Sequence, residues 1–173
     1  MTLRGRRMTG LALAAAIFVA DQFVKWLMLG PLDLRTVGVI EILPFFDLRW
    51  TQNFGVSLGM LTAQSPEMRW MLVALTGIIS IAVLVWMLRE KAMYEIVALG
   101  LVLGGALGNI RDRVRFGYVV DFADLHFGDF RPFLIFNIAD AAITIGVLII
   151  IARSLLSREK PEETATTAPE SQS

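Results

Sequence analysis

The chain has no cysteine and only one histidine, His126, among its 173 residues. The first absence excludes disulfides, thiolate metal sites and a cysteine nucleophile together. The second excludes a histidine-rich metal centre, and no His-Glu-x-x-His is present. Net charge is missing too: 16 Lys and Arg balance 16 Asp and Glu, so nothing points to a nucleic-acid partner. Charged residues make up 18% of the chain against 55% hydrophobic, and mean hydropathy is +0.62. A soluble domain of this length does not need that excess, which puts the chain in the membrane class. Arg4, Arg6 and Arg7 precede LALAAAIFVADQFVKWLML like the basic head of a signal peptide. That run is too long for a signal core and no clean small-residue cleavage site follows, so it reads as a retained first span.

Four stretches reach the ~20 apolar residues that cross a bilayer: roughly 8–29, 69–88, 93–110 and 134–152. The expected fold is an all-α polytopic membrane protein with four transmembrane helices. The short, charged REKA separates the second and third spans, whereas the other connections, about 31–67 and 111–133, are long and polar. Four spans put both termini on one side together with REKA. Basic residues are nearly balanced between the two sides, so the positive-inside rule votes weakly. Arg111, Arg113 and Arg115 stand among acidic residues, which suggests work rather than topology. The termini are therefore placed in the cytoplasm. The polar tail 157–173 reads as a disordered cytoplasmic end, leaving 1–156 as a single integral-membrane domain.

The first long loop contains TVGVIEIL and FFDLRWTQN. Leu48 and Trp50 alternate with Asp47, Arg49 and Thr51, the period of a half-buried strand. This predicts a small extracytoplasmic β-sheet between helices 1 and 2, resting on the membrane surface. Pro44 and the β-branched run Thr36, Val37, Val39 and Ile40 argue against a helix there.

Polar residues converge at one depth. Span 1 runs outward and carries Asp21 and Lys25 one turn apart. Span 3 runs outward and ends near Asn109, with Asp121 beyond it; span 4 returns with Asp140 about two turns below its outer end. Asn137, Asp140 and Thr144 share one face of span 4. An ionisable group inside a span is expensive and functional by default. Two carboxylates close together at a dry site share a proton. The charged member activates a water and the protonated one donates to the carbonyl oxygen under attack, giving amide hydrolysis without metal or covalent intermediate. Asp140 is one candidate; from the residues alone Asp121 and Asp124 are equal candidates for the other, with Asp112 and Asp129 nearby.

Four ordered blocks, DQFVK, NFGVSLG, GGALGNIRDRVRFGYVVDF and FNIAD, resemble signal peptidase II, the bacterial lipoprotein signal peptidases. The resemblance covers nearly the whole chain. It implies an aspartyl endopeptidase of the bacterial cytoplasmic (inner) membrane, multi-pass, with its active site near the outer leaflet and no metal or other cofactor. Its substrates would be prolipoproteins already carrying diacylglycerol, cut just before the lipidated cysteine. Membrane lipid would surround it and globomycin-type peptide antibiotics would inhibit it. Position by position, the resemblance implies Asp121 and Asp140 as the catalytic pair. Asn53, Gly55, Gly105, Asn109, Arg113, Asn137 and Ala139 match site-lining positions, and Asp21 and Lys25 a structural polar pair. The first-loop sheet would be the family's periplasmic cradle. NFGVSL departs from the family's commoner Asn-x-Gly-Ala-Ala-Phe at Val56, Ser57 and Leu58.

Blander or rival readings stand beside these. Asp140 could be a packing partner of Lys25, and Lys25 could instead reach the headgroups. Arg113 is either a surface arginine or a holder of a substrate carbonyl. Gly104, Gly105 and Gly108 fit small-residue helix packing. GVSLG satisfies G-x-S-x-G, so Ser57 with His126 would make an intramembrane serine protease, although no helix follows the serine as that elbow requires. Gly117, Asp121 and Asp124 partly resemble a metal-dependent lipid phosphotransferase, one residue short in spacing. A small carrier or lipoprotein chaperone using Asp140 as a proton site is the third class; no internal repeat supports it.

Overall fold

The computed structural model describes residues 2–55 and 65–157. The GVSLG serine, Ser57, and nearly all of the polar tail lie outside the described residues. Four long helices form the body: α1 (Leu3–Leu29), α3 (Pro66–Arg89), α4 (Met93–Phe116) and α5 (Ile138–Ser157). Each is long and apolar enough to cross a membrane. A one-turn helix, α2 (Leu34–Val37), and three strands, β1 (Val39–Leu43), β2 (Phe46–Asn53) and β3 (Val119–Leu125), gather at one end.

The expected spans are all present, but their ends are set by caps rather than by hydropathy. α3 starts early because Ser65 accepts a hydrogen bond from the Met68 amide and Pro66 occupies the first helical position. α4 does not stop near residue 110. It carries the charged IRDRVRF for almost two further turns until Gly117, at φ +88°, turns its amide back to the Arg113 carbonyl. Hydropathy marks where lipid ends; the helix ends at the first residue able to turn it. α5 begins at Ile138 because Asn137 caps it.

The sheet is antiparallel in the order β1-β2-β3. The first two strands are the expected hairpin, with Val39 opposite Arg49 and Ile40 opposite Leu48. The third comes from the second long loop, which sequence periodicity left unassigned, and sets Thr51 opposite Asp121 and Asp47 opposite Asp124. Between Leu48 and Thr51 the register slips by one residue, a bulge in β2. The expectation that no helix forms before the strands is corrected at α2. Its β-branched Thr36 and Val37 are tolerated because a single turn, closed by Gly38 at φ +81°, buries Leu34 completely. Leu34, Met28, Phe122 and Ala123 form the apolar cluster that seats the sheet on the end of α1.

Within lipid, apolar burial does not drive helices together, so close backbone approach must. Glycines on α4 supply it. A Cβ on Gly104 would stand 2.5 Å from the Ala14 carbonyl oxygen of α1, and one on Gly108 would stand 2.6 Å from Asp21 Oδ2. A Cβ on Gly105 would collide with the Ala139 carbonyl of α5. α4 is thereby clasped on both sides and is the most enclosed of the four helices. Gly104→Leu is expected to lower the thermal stability of the detergent-purified protein by about 1–3 kcal/mol or more. Gly77→Leu on α3, where a Cβ meets nothing within 4 Å, should stay within about 0.5 kcal/mol of the parent.

Candidate active site

Lys25 of α1 is 1% exposed, and its ammonium lies 2.9 Å from Asp21 Oδ2 and 2.7 Å from Asp112 Oδ2. It also donates to Asn109 Oδ1 at 3.3 Å. Lys25 therefore does not reach the headgroups, and its carboxylate partners are Asp21 and Asp112 rather than Asp140. Asp112, one of the carboxylates near Asp121 in the sequence, is fully buried. Its spacing from Asn109 puts both on one face of α4, a signal hidden while residues beyond 110 were read as loop.

The two aspartates of the triad reach outward to other elements. Asp21 Oδ1 accepts from the Ala139 amide in the first turn of α5, at 3.0 Å. Asp112 Oδ2 accepts from the Val120 amide of β3, at 3.2 Å. Gln22 donates to both carboxylates and to the Gly108 carbonyl. One buried cluster thus pins α4, β3 and α5 to α1.

Two asparagines connect the triad to Asp121 and Asp140. Lysine can only donate, so Asn109 must present its oxygen to Lys25 and its amide nitrogen to Asp140 Oδ1, 2.8 Å away. A backbone N–H can only donate, so Asn137 presents Oδ1 to the Asp140 amide at 2.9 Å and Nδ2 to Asp121 Oδ1 at 2.6 Å. Asp140 Oδ2 in return accepts the Asn137 backbone N–H at 3.3 Å, the reciprocal capping box of a helix start. Asp140, three residues into α5's entry, thus shares Asn137 with Asp121 on β3.

Asp121 is 1% exposed, and its carboxyl is pushed up to about 7. Burial is the main cause, followed by the charge of Asp140; amides of Asn53 and Asn137 and the Lys25 charge pull the other way. Asp124 has a different setting. It lies an odd number of residues from Asp121 along β3, so the two point to opposite faces. There Arg49 Nε at 2.8 Å and Arg131 Nε at 3.1 Å hold its oxygens. His126 sits 3.1 Å from Asp47 in a separate cavity beside Glu41 and Pro44.

Asp121 opens into a cavity of about 880 Å³, whose walls include Asn53, Gly55, Arg113 and Arg131. Asn53 Oδ1 accepts from the Gly55 amide at 2.8 Å. Gly55, at φ +84°, leaves room for the Arg113 guanidinium, 3.2 Å from where a Cβ would be. Among the described residues, Arg113 Nε is buried without a hydrogen-bond partner. Asp140 opens instead into an apolar recess of about 380 Å³ with Phe136, Thr144 and Ile145, and Phe133 and Leu134 border both spaces. Gly105 and Ala139 face each other at the α4–α5 contact, not in either cavity. Thr51 and Arg131, which line the larger cavity, carried no motif and were not anticipated. Only the strand pairing of Thr51 with Asp121 reveals the first. Among the described residues no His, Asp or Glu cluster suits a metal ion.

Lys25→Met is expected to cost about 3–5 kcal/mol in thermal unfolding, because it strands two buried carboxylates. A cycle with Asp112→Leu should show strong non-additivity, the double variant losing less than the sum of the singles.

Residues 13–156 match the family model described as signal peptidase (SPase) II. A lipoprotein signal peptidase of Sphingopyxis alaskensis is 59% identical over 151 residues, covering 87% of both chains. One of Rhizorhabdus wittichii is 58% identical over 153 residues, covering 88% of this chain and 89% of its own. A solved bacterial membrane enzyme superposes with TM-score 0.73 at 32% identity, covering 90% of this chain and 93% of that one.

Proposed function

The chain belongs to the signal peptidase II family, and on that premise we propose that Asp121 and Asp140 are the catalytic pair of an aspartic-type peptidase. It is a multi-pass membrane protein that removes signal peptides from prolipoproteins. The observation carrying the catalytic assignment is the shared Asn137. Its amide donates to Asp121, its carbonyl oxygen caps the Asp140 amide, and its backbone N–H binds the Asp140 carboxylate. Asp124, the alternative on β3, is neutralised by Arg49 and Arg131.

With its carboxyl raised to about 7, Asp121 holds the pair's proton at rest. Asp140 takes a proton from a water as that water attacks the scissile carbonyl carbon, and Asp121 donates to the carbonyl oxygen. On collapse Asp140 returns its proton to the departing amine, and the hydroxyl proton goes back to Asp121. Arg113, whose Nε has no hydrogen-bond partner among the described residues and which lies at the wall of the large cavity, holds a substrate carbonyl. The extended peptide lies in that larger cavity, and the apolar recess beside Asp140 takes its greasy flank, including the diacylglycerol of the cysteine that follows the cut. Globomycin-type peptides compete for the same space. The sheet end faces away from the cytoplasm, both termini face it, and residues up to 156 form one catalytic unit.

Cleavage of a diacylglyceryl-modified prolipoprotein by purified enzyme tests this. Asp121→Asn and Asp140→Asn, folded by thermal melt, should each lose about 10³-fold or more in kcat, whereas Ser57→Ala and chelator-treated enzyme keep cutting. Near-parent activity in either asparagine variant sinks the assignment. The pH profile has a definite sign. Activity should fall about tenfold per unit above roughly pH 7, as Asp121 loses the proton it must donate. An alkaline limb beginning near pH 9 would reject Asp121 as the acid.

A further inference from the structure

Arg111 and Arg115 flank Arg113 at two residues on either side. Two residues are about 200° around a helix, so these arginines face away from the catalytic cavity. They line a separate cavity of about 560 Å³ at the sheet end of α1 and α4, with Arg35, Trp26 and Asp33. All three arginines are exposed. Arg111 donates to the Gln22 side chain, and the Arg115 guanidinium lies 4.9 Å from the Phe116 ring centroid. Asp33 is the acidic member of the wall, and Lys25 at its floor is already compensated by Asp21 and Asp112. The mouth therefore keeps a positive excess, at the level where Trp26, 57% exposed, stacks on Phe23. Exposed tryptophan marks the membrane–water interface.

An apolar furrow of about 800 Å³ begins at the same arginine. Arg111 lines both spaces. From it the furrow descends between α1, α3 and α4 past Phe18, Ala15 and Leu11 on one wall and Gly77 and Ile81 on another. On α1 these residues continue the stripe of Gln22, Trp26 and Leu29 at helical spacing, so mouth and furrow share one helix face. Planar guanidinium groups match phosphate oxygens, and a furrow reaching into the membrane matches an acyl chain.

We propose that the Arg35–Arg111–Arg115 mouth and the α1–α3–α4 furrow together bind one anionic glycerophospholipid, phosphodiester at the arginines and an acyl chain along the furrow. The site is independent of the aspartate pair and lies on the opposite face of α4.

The full chain would be reconstituted in nanodiscs of phosphatidylcholine with a minor share of phosphatidylglycerol, then lipids retained after detergent extraction counted by native mass spectrometry. The parent should retain phosphatidylglycerol over phosphatidylcholine by about tenfold. Arg35→Gln/Arg111→Gln/Arg115→Gln should lose the preference. Gly77→Leu, whose Cβ meets nothing within 4 Å on the furrow wall, should lower total retention while leaving the mouth intact. Equal retention of both lipids by the parent, or parent-like retention by either folded variant, overturns the proposal. Should the triple variant fail to fold, Gly77→Leu decides alone. Displacement of the lipid by soluble glycerol phosphate at millimolar concentration would instead assign the mouth to a water-soluble phosphate ester and overturn the lipid site.

Discussion

Everything at the sheet end hangs on a buried ammonium. Lys25 sits inside a helix bundle, where a lone charge is intolerable, so it must be met by opposite charge and hydrogen bonds. Asp21, Asp112 and Asn109 meet it. Each then spends its remaining capacity on another element: Asp21 on the first turn of α5, Asp112 on the start of β3, Asn109 on Asp140. Satisfying one cation therefore positions both β3 and α5, segments far from Lys25 in the chain. Buried networks of this kind are worth keeping only when fully satisfied.

That constraint propagates to chemistry through donor and acceptor logic. Because lysine has no acceptor, Asn109 can only turn its NH2 toward Asp140. Because a helix amide has no acceptor, Asn137 can only turn its NH2 toward Asp121. Neither asparagine can flip without breaking a bond to an obligatory donor. Two carboxylates that would otherwise repel are thus held around one amide, in a setting buried enough to push the Asp121 carboxyl up to about 7.

Around this centre the bundle is asymmetric. α4 is clasped by α1 and α5 through glycine contacts with backbone carbonyls, whereas α3 packs on it by side chains and leaves the furrow against α1 open. The tight side of α4 carries the polar network, and the loose side opens into the furrow. One helix serves two separate cavities because its residues alternate faces every half turn: Arg113 lines the cavity beside Asp121, Arg111 and Arg115 the one on the other side.

The sequence by itself determined the four spans and the first-loop strands and singled out Asp140 as a candidate, since apolar length, strand alternation and a charge amid lipid-soluble residues are local properties. The four blocks DQFVK, NFGVSLG, GGALGNIRDRVRFGYVVDF and FNIAD carried the family resemblance, again locally. It could not separate Asp121 from Asp124, because identical carboxylates three residues apart differ only in which strand face they occupy and whether arginine meets them. Nor could it reveal that Asp112 is buried, that VVDFADL completes the sheet, or that residues 111–116 continue a helix. Those outcomes depend on partners up to 118 residues away, as in the bond from Ala139 to Asp21. Local composition decides what can enter the membrane; only the closing of long-range polar contacts decides which carboxylates meet.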